Sequence, residues 1–218
     1  MKLLTSFVAL LFMGITCSAC KPELKPAPKG YDKTTKCVMM GDSITEIWNN
    51  TRPDFFGENG IVSAGIGGQT STQMLGRFEN DVVRRSPMAV SILCGINDIA
   101  QNQGYISNDD ICANIAAMAE MAANAGIKVI ICSTLPANKI GWNPSVGNPA
   151  PLVADLNAKT KNVALKNGYY YLDYYSVLVA DDGGLPPSLT TDGVHVTPSC
   201  YEQLEEMFLA KLTEVLGE

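Results

Sequence analysis

Apolar positions along the chain fall into two alternating periods. Short runs at 37–40, 61–64, 89–93, 128–133 and 169–173 predict strands. Several are continuous rather than alternating, as in strands covered on both faces. Longer segments between them repeat at helical spacing. Residues 70–83 place Met74, Phe78 and Val82 four apart. Residues 109–124 are rich in Ala and Met, with Ser107 as N-cap, Asp109 and Asp110 in the first turn and Gly126 as stop. Residues 152–166 end before Gly168. Residues 198–216 follow Thr197 as N-cap, open on Pro198 and carry Leu204, Phe208, Leu212 and Val215 as an apolar stripe. This alternation predicts an α/β fold, a three-layer α/β/α sandwich around a central five-stranded parallel sheet. Chemistry in such sheets sits beyond the carboxyl ends of the strands.

The first residues follow a different pattern. Lys2 precedes an apolar run at 3–15, and the small residues Thr16, Cys17, Ser18, Ala19 and Cys20 follow. A run of this length is short for a membrane span, which needs about 20 residues, and suits an export signal. Ser18-Ala19-Cys20 resembles the end of a bacterial lipobox. The expected organisation is therefore a signal peptide at 1–19, a lipid-bearing Cys20 with a Pro- and Lys-rich tether over 20–36, and one domain from 37 to 218. Simple cleavage after Ala19 is the other outcome. The expected location is the bacterial cell envelope, with membrane contact only through the lipid.

Charge and composition narrow the partners. The 218 residues carry 16 Lys+Arg against 22 Asp+Glu, a net charge of −6. An acidic chain without a basic block is not built for nucleic acid. The single histidine, His195, excludes metal sites that need two. Of seven cysteines, Cys37, Cys94, Cys112, Cys132 and Cys200 lie beyond the export segment, without metal-ligand spacing. Cys37, Cys94 and Cys132 read as small buried hydrophobes.

The polar residues that follow the strands carry the chemistry. They are Gly41-Asp42-Ser43-Ile44, the glycine turn from Gly65 to Thr70, Gly95-Ile96-Asn97-Asp98 and, before the last helix, Asp192-Gly193-Val194-His195. Each alone can be an ordinary turn or cap. Together they place a hydroxyl, oxyanion donors and an Asp-x-x-His at one crevice. A serine needs a base, His195 is the only imidazole, and Asp192 can fix its tautomer. The N–H of Ser43, the N–H of Gly68 and the amide of Asn97 are candidate oxyanion donors. No Gly-x-Ser-x-Gly occurs, because Thr45 stands at the second glycine. Thr70 replaces the last glycine of a dinucleotide fingerprint, and there is no P-loop.

These four blocks, in this order and separation, resemble the GDSL/SGNH serine hydrolases over nearly the whole chain from Cys37. The glycine turn looks most like the branch with platelet-activating-factor acetylhydrolase subunits and bacterial lysophospholipase-like acylhydrolases. The resemblance implies a flavodoxin-like fold and an esterase acting through an acyl-serine, without metal or cofactor. It implies Ser43 as nucleophile, Asp192 and His195 as its partners, and Gly68 and Asn97 in the oxyanion hole. The expected substrate is an acetyl ester of carbohydrate or an acyl ester of lysophospholipid. Ile44 replaces the family's usual Leu, and Val196-Thr197 stand where Pro-Asn is frequent. The Pro- and Gly-rich segment 137–151 suits a loop over the crevice, with Trp142 and Asn138 as candidate substrate contacts. Half-buried packing is the other role open to both tryptophans, and the stronger one for Trp48. The rival from another class is a non-catalytic flavodoxin-like glycan-binding surface lipoprotein.

Overall fold

The computed structural model describes residues 34–218. The export segment, Cys20 and all but the last residues of the tether lie outside the described residues. Five strands form one parallel sheet: β1 (Cys37–Gly41), β2 (Ile61–Gly65), β3 (Ala89–Leu93), β4 (Lys128–Cys132) and β5 (Tyr170–Leu172). Their order is β2-β1-β3-β4-β5. The central strands β1 and β3 are buried throughout, and the edge strands β2 and β5 only in part. That gradient explains the continuous apolar runs: a strand with helices on both faces has no side left for polar residues.

Among the described residues, eight α-helices cover the sheet: α1 (Ser43–Thr51), α2 (Pro53–Glu58), α3 (Ser71–Asp81), α4 (Ile96–Ile99), α5 (Asn108–Asn124), α6 (Ala150–Asn167), α7 (Tyr175–Leu178) and α8 (Pro198–Leu216). The expected caps form. Ser107 accepts from the N–H of Asp110, Thr197 accepts from that of Cys200, and Gly168 closes α6 in the left-handed region. The periodic apolar positions of α3 and α8 are at most 4% exposed. Helix α3 ends two residues early, at Asp81, and the chain tightens into a 3₁₀ turn (Val83–Arg85) that Ser86 closes at φ 49°.

Helices α3, α5 and α6 pack side by side. On the other group, Trp48 of α1 stacks on Phe55 of α2 at 5.4 Å and meets Tyr201 of α8 at 5.3 Å. Trp48 is 1% exposed, and its indole N–H donates to Glu205. It is a core residue. All five described cysteines are buried and free. Among the described residues no helix is long and apolar enough to cross a membrane.

With β1 next to both β2 and β3, the chain leaves β1 in one direction and continues past β3 in the other. The crevice at such a reversal, beyond the carboxyl ends of β1 and β3, is the place where this fold presents a ligand.

Candidate active site

The loop after β1 is one residue long. Asp42 caps α1, its Oδ1 accepting from the N–H of Ile44 at 2.9 Å, and Ser43 is the first helical residue. The N–H of Ser43 is therefore one of the first-turn donors that no helical carbonyl can reach. Helix α1 presses so closely on the end of β2 that a Cβ at Gly65 would stand 2.3 Å from the Glu46 nitrogen. The glycine there is a steric requirement.

The segment 190–196 folds back on itself as a clamp. Thr190 Oγ1 accepts from the N–H of Gly193 and donates to the carbonyl of His195, both at 2.8 Å. Asp192 Oδ1 accepts from the N–H groups of Val194 and His195 at 2.9 and 2.8 Å. This leaves Asp192 Oδ2 to accept from His195 Nδ1–H at 2.7 Å. A carboxylate only accepts, so the proton belongs on Nδ1 and Nε2 is the basic nitrogen. Ser43 Oγ lies 2.9 Å from His195 Nε2. The structure thus brings Ser43, His195 and Asp192 into one hydrogen-bonded chain. Burial pushes the Asp192 carboxyl upward, but the bonds from the His195 ring and from the backbone outweigh it and hold the group below the ordinary carboxylate range.

The turn after β2 uses its N–H groups one by one. Ile66 donates to the carbonyl of Gly41, Gly67 to Glu46 Oε2, Gln69 to the carbonyl of Ile66 and Thr70 to Gln73 Oε1. Gly68, held at φ 74°, is the residue of this turn whose N–H meets no acceptor among the described residues. Arg77 straps the turn down through Gln69 Oε1 and the carbonyls of Gly41 and Ala64.

Asn97 follows β3 and is buried. Its Nδ2 donates one hydrogen to the carbonyl of Gln69 at 3.1 Å, and its Oδ1 accepts from Asn102 Nδ2 at 2.9 Å. One Nδ2–H remains. Asp98 accepts both the N–H and the hydroxyl of Ser71, which ties this loop to the start of α3. Burial raises its pKa, with the Ser71 bonds opposing. Ser43, Gly68 and Asn97 therefore offer three undirected N–H groups at adjacent strand ends, an arrangement able to hold negative charge on oxygen.

Trp142 is 45% exposed and stands with its ring centre 6.1 Å from that of His195. Its indole N–H donates to Asn102 Oδ1 at 2.9 Å. Asn138 lies against the turn at Gly184. Among the described residues no group of three or more His, Cys, Asp or Glu is placed to hold a metal. Sequence reasoning does not reach Asn102, Glu46 or Arg77. Their roles are set by side-chain bonds between loops, and no short motif encodes those.

Residues 39–203 match the model of the GDSL-like lipase/acylhydrolase family. A Bacteroides fragilis protein described as an acylhydrolase is 43% identical, with a TM-score of 0.82 over 89% of this chain and 92% of that one. A GDSL-like lipase from Bacteroides thetaiotaomicron is 39% identical, with a TM-score of 0.81 over 83% of this chain and 89% of its own. A lipoprotein of Bacillus subtilis, YqeF, is 33% identical over 79 residues, which span 35% of this chain and 32% of that protein.

Proposed function

The chain belongs to the GDSL-like lipase/acylhydrolase family, and from that premise we propose that it is a serine esterase working through an acyl intermediate on Ser43. The observation that carries this reading is the chain from Ser43 Oγ through the His195 ring to Asp192, with bonds of 2.9 and 2.7 Å. As Ser43 Oγ bonds to the ester carbonyl carbon, its proton passes to His195 Nε2, and Asp192 stabilises the imidazolium. The carbonyl oxygen becomes an oxyanion and takes the N–H groups of Ser43, Gly68 and Asn97. When the tetrahedral centre collapses, the bond to the alcohol oxygen breaks and His195 returns the proton to it. Water then repeats the sequence on the acyl-serine, with His195 as base, and releases the acid.

The alcohol half must lie beside His195, which protonates it. Trp142, 45% exposed, stands there with its ring centre 6.1 Å from that of His195, and we read it as a flat surface for the C–H side of a sugar ring. This supports an acetylated carbohydrate over a lysophospholipid. The test compares p-nitrophenyl acetate, longer p-nitrophenyl esters and an acetylated oligosaccharide. Ser43→Ala abolishes hydrolysis of all of them while the fold is retained; a variant with near-normal turnover refutes the mechanism. Trp142→Ala raises KM for the oligosaccharide more than for p-nitrophenyl acetate; an equal effect on both removes the sugar platform.

The protein is exported and held at the cell envelope by lipid on Cys20. The signal-like segment ending in Ser18-Ala19-Cys20 supports this, as does the partial match to a lipoprotein. Mass spectrometry of the native protein shows acyl adducts on Cys20 that vanish in Cys20→Ser; an unmodified N-terminus excludes the anchor.

A further inference from the structure

Asn102 lies five residues after Asn97, outside every signature block, yet its side chain bonds to two of the three proposed oxyanion residues, Asn97 and Gly68. Its Nδ2 donates to Asn97 Oδ1 at 2.9 Å and to the carbonyl of Gly68 at 3.1 Å. Its Oδ1 accepts from Trp142 Nε1 at 2.9 Å. Both amide hydrogens and the oxygen are engaged, and a flipped amide would set Oδ1 against two acceptors and Nδ2 against a donor. Its backbone N–H is also tied, to the carbonyl of Asn97 at 3.0 Å. The preceding residue, Gln101, holds the left-handed conformation at φ 60°, uncommon for a residue with a Cβ.

The bookkeeping of Asn97 shows what this bond does. The Asn97 amide can sit either way round. Asn102 donates to one end and the carbonyl of Gln69 accepts from the other, so Oδ1 faces Asn102 and Nδ2 faces the turn. Only in that orientation is an N–H left for the oxyanion. Through the Gly68 carbonyl, the same side chain holds the peptide that follows the second donor.

We propose that Asn102 is a positioning residue that clasps Asn97 and Gly68 into a single preorganised oxyanion hole and ties that hole to Trp142 at the substrate loop. The inference rests on the proposed esterase mechanism.

Misplacing catalytic groups by about an ångström costs up to about 10²-fold in rate, and losing one oxyanion donor costs about 10²–10³-fold. Asn102→Ala and the isosteric Asn102→Asp, which lacks both donors, should each lower kcat for p-nitrophenyl acetate by about 10- to 100-fold, with KM changed by less than about threefold. In an Asn97→Ala background, itself about 10²–10³-fold slower, Asn102→Ala should cost several-fold less than it does alone. Unchanged kcat in both single variants overturns the proposal. So does a full additive loss in the double variant. Thermal unfolding of Asn102→Asp separates local misplacement from loss of the fold; a kcat loss that merely follows the unfolded fraction also overturns it. If Ser43→Ala is inactive while the Asn102 variants keep full turnover, the esterase reading stands and this inference alone fails.

Discussion

Asp42 shows how much the site constrains a single residue. Its Oδ1 caps α1, while Oδ2 is the one buried side-chain oxygen or nitrogen without a partner among the described residues. Burial pushes the carboxyl up to about 6 from an ordinary 3.8, against the lowering effects of the Ile44 N–H and His195. The folded protein therefore holds this proton over an interval in which the unfolded chain has released it, and stability falls as pH rises through that interval. Below the unfolded value both states are protonated and nothing is lost. Asp42→Asn keeps the cap and removes the titration. Relative to that variant, the parent should lose up to about 3 kcal/mol of stability between about pH 4 and 7, read by denaturant unfolding. A stability difference that stays flat over this range removes the buried ionisation from the account. The site is unevenly legible at this scale. Ser43, Gly68 and Asn97 stand in short blocks at strand ends, and Asp192 and His195 in one short block before the last helix, where chemistry dictates residue type. Asn102 does not, because its partners are 5, 34 and 40 residues away along the chain.

Elements carry the site by being held close. Gly65 lets α1 rest on the end of β2, and α1 begins with Ser43. A methyl group at Gly65 meets the backbone at Glu46 and Thr45, where nothing flexible can yield. Gly65→Ala should cost about 1–3 kcal/mol, as overpacking does, and lower kcat as α1 is displaced. Gly76, inside α3, faces open space. Gly76→Ala should instead add about 0.5–1 kcal/mol with kcat unchanged. Thermal unfolding and steady-state rates of the pair check this, and equal behaviour of the two variants rejects the close-approach argument. The long helices are legible because three or more turns repeat one apolar stripe against the sheet. Helices α1, α2, α4 and α7, of nine, six, four and four residues, are not. They are too short to show a period, and two of them carry the residues that matter most. Helix α1 exists because Asp42 caps it and Ile44 and Trp48 bury one side.

At the scale of the whole molecule, the parallel sheet orders its strands so that three loops meet at one reversal of direction, and a fourth, the clamp of 190–196, reaches in from the far end of the chain. Strand-helix alternation makes the sandwich legible; the meeting of residues 43 and 195, which are 152 positions apart, is legible only because a hydroxyl needs a base and one imidazole exists. The central claim is that these two residues form a nucleophile and its base. An alkyl fluorophosphonate tests it most directly, since it bonds to an activated serine and reports the residue by mass. Peptide mass spectrometry after treatment should place one adduct on Ser43, with labelling slowed in His195→Ala and absent in Ser43→Ala, in step with the loss of ester hydrolysis. An adduct on another residue, or an active enzyme that takes no label, contradicts the account.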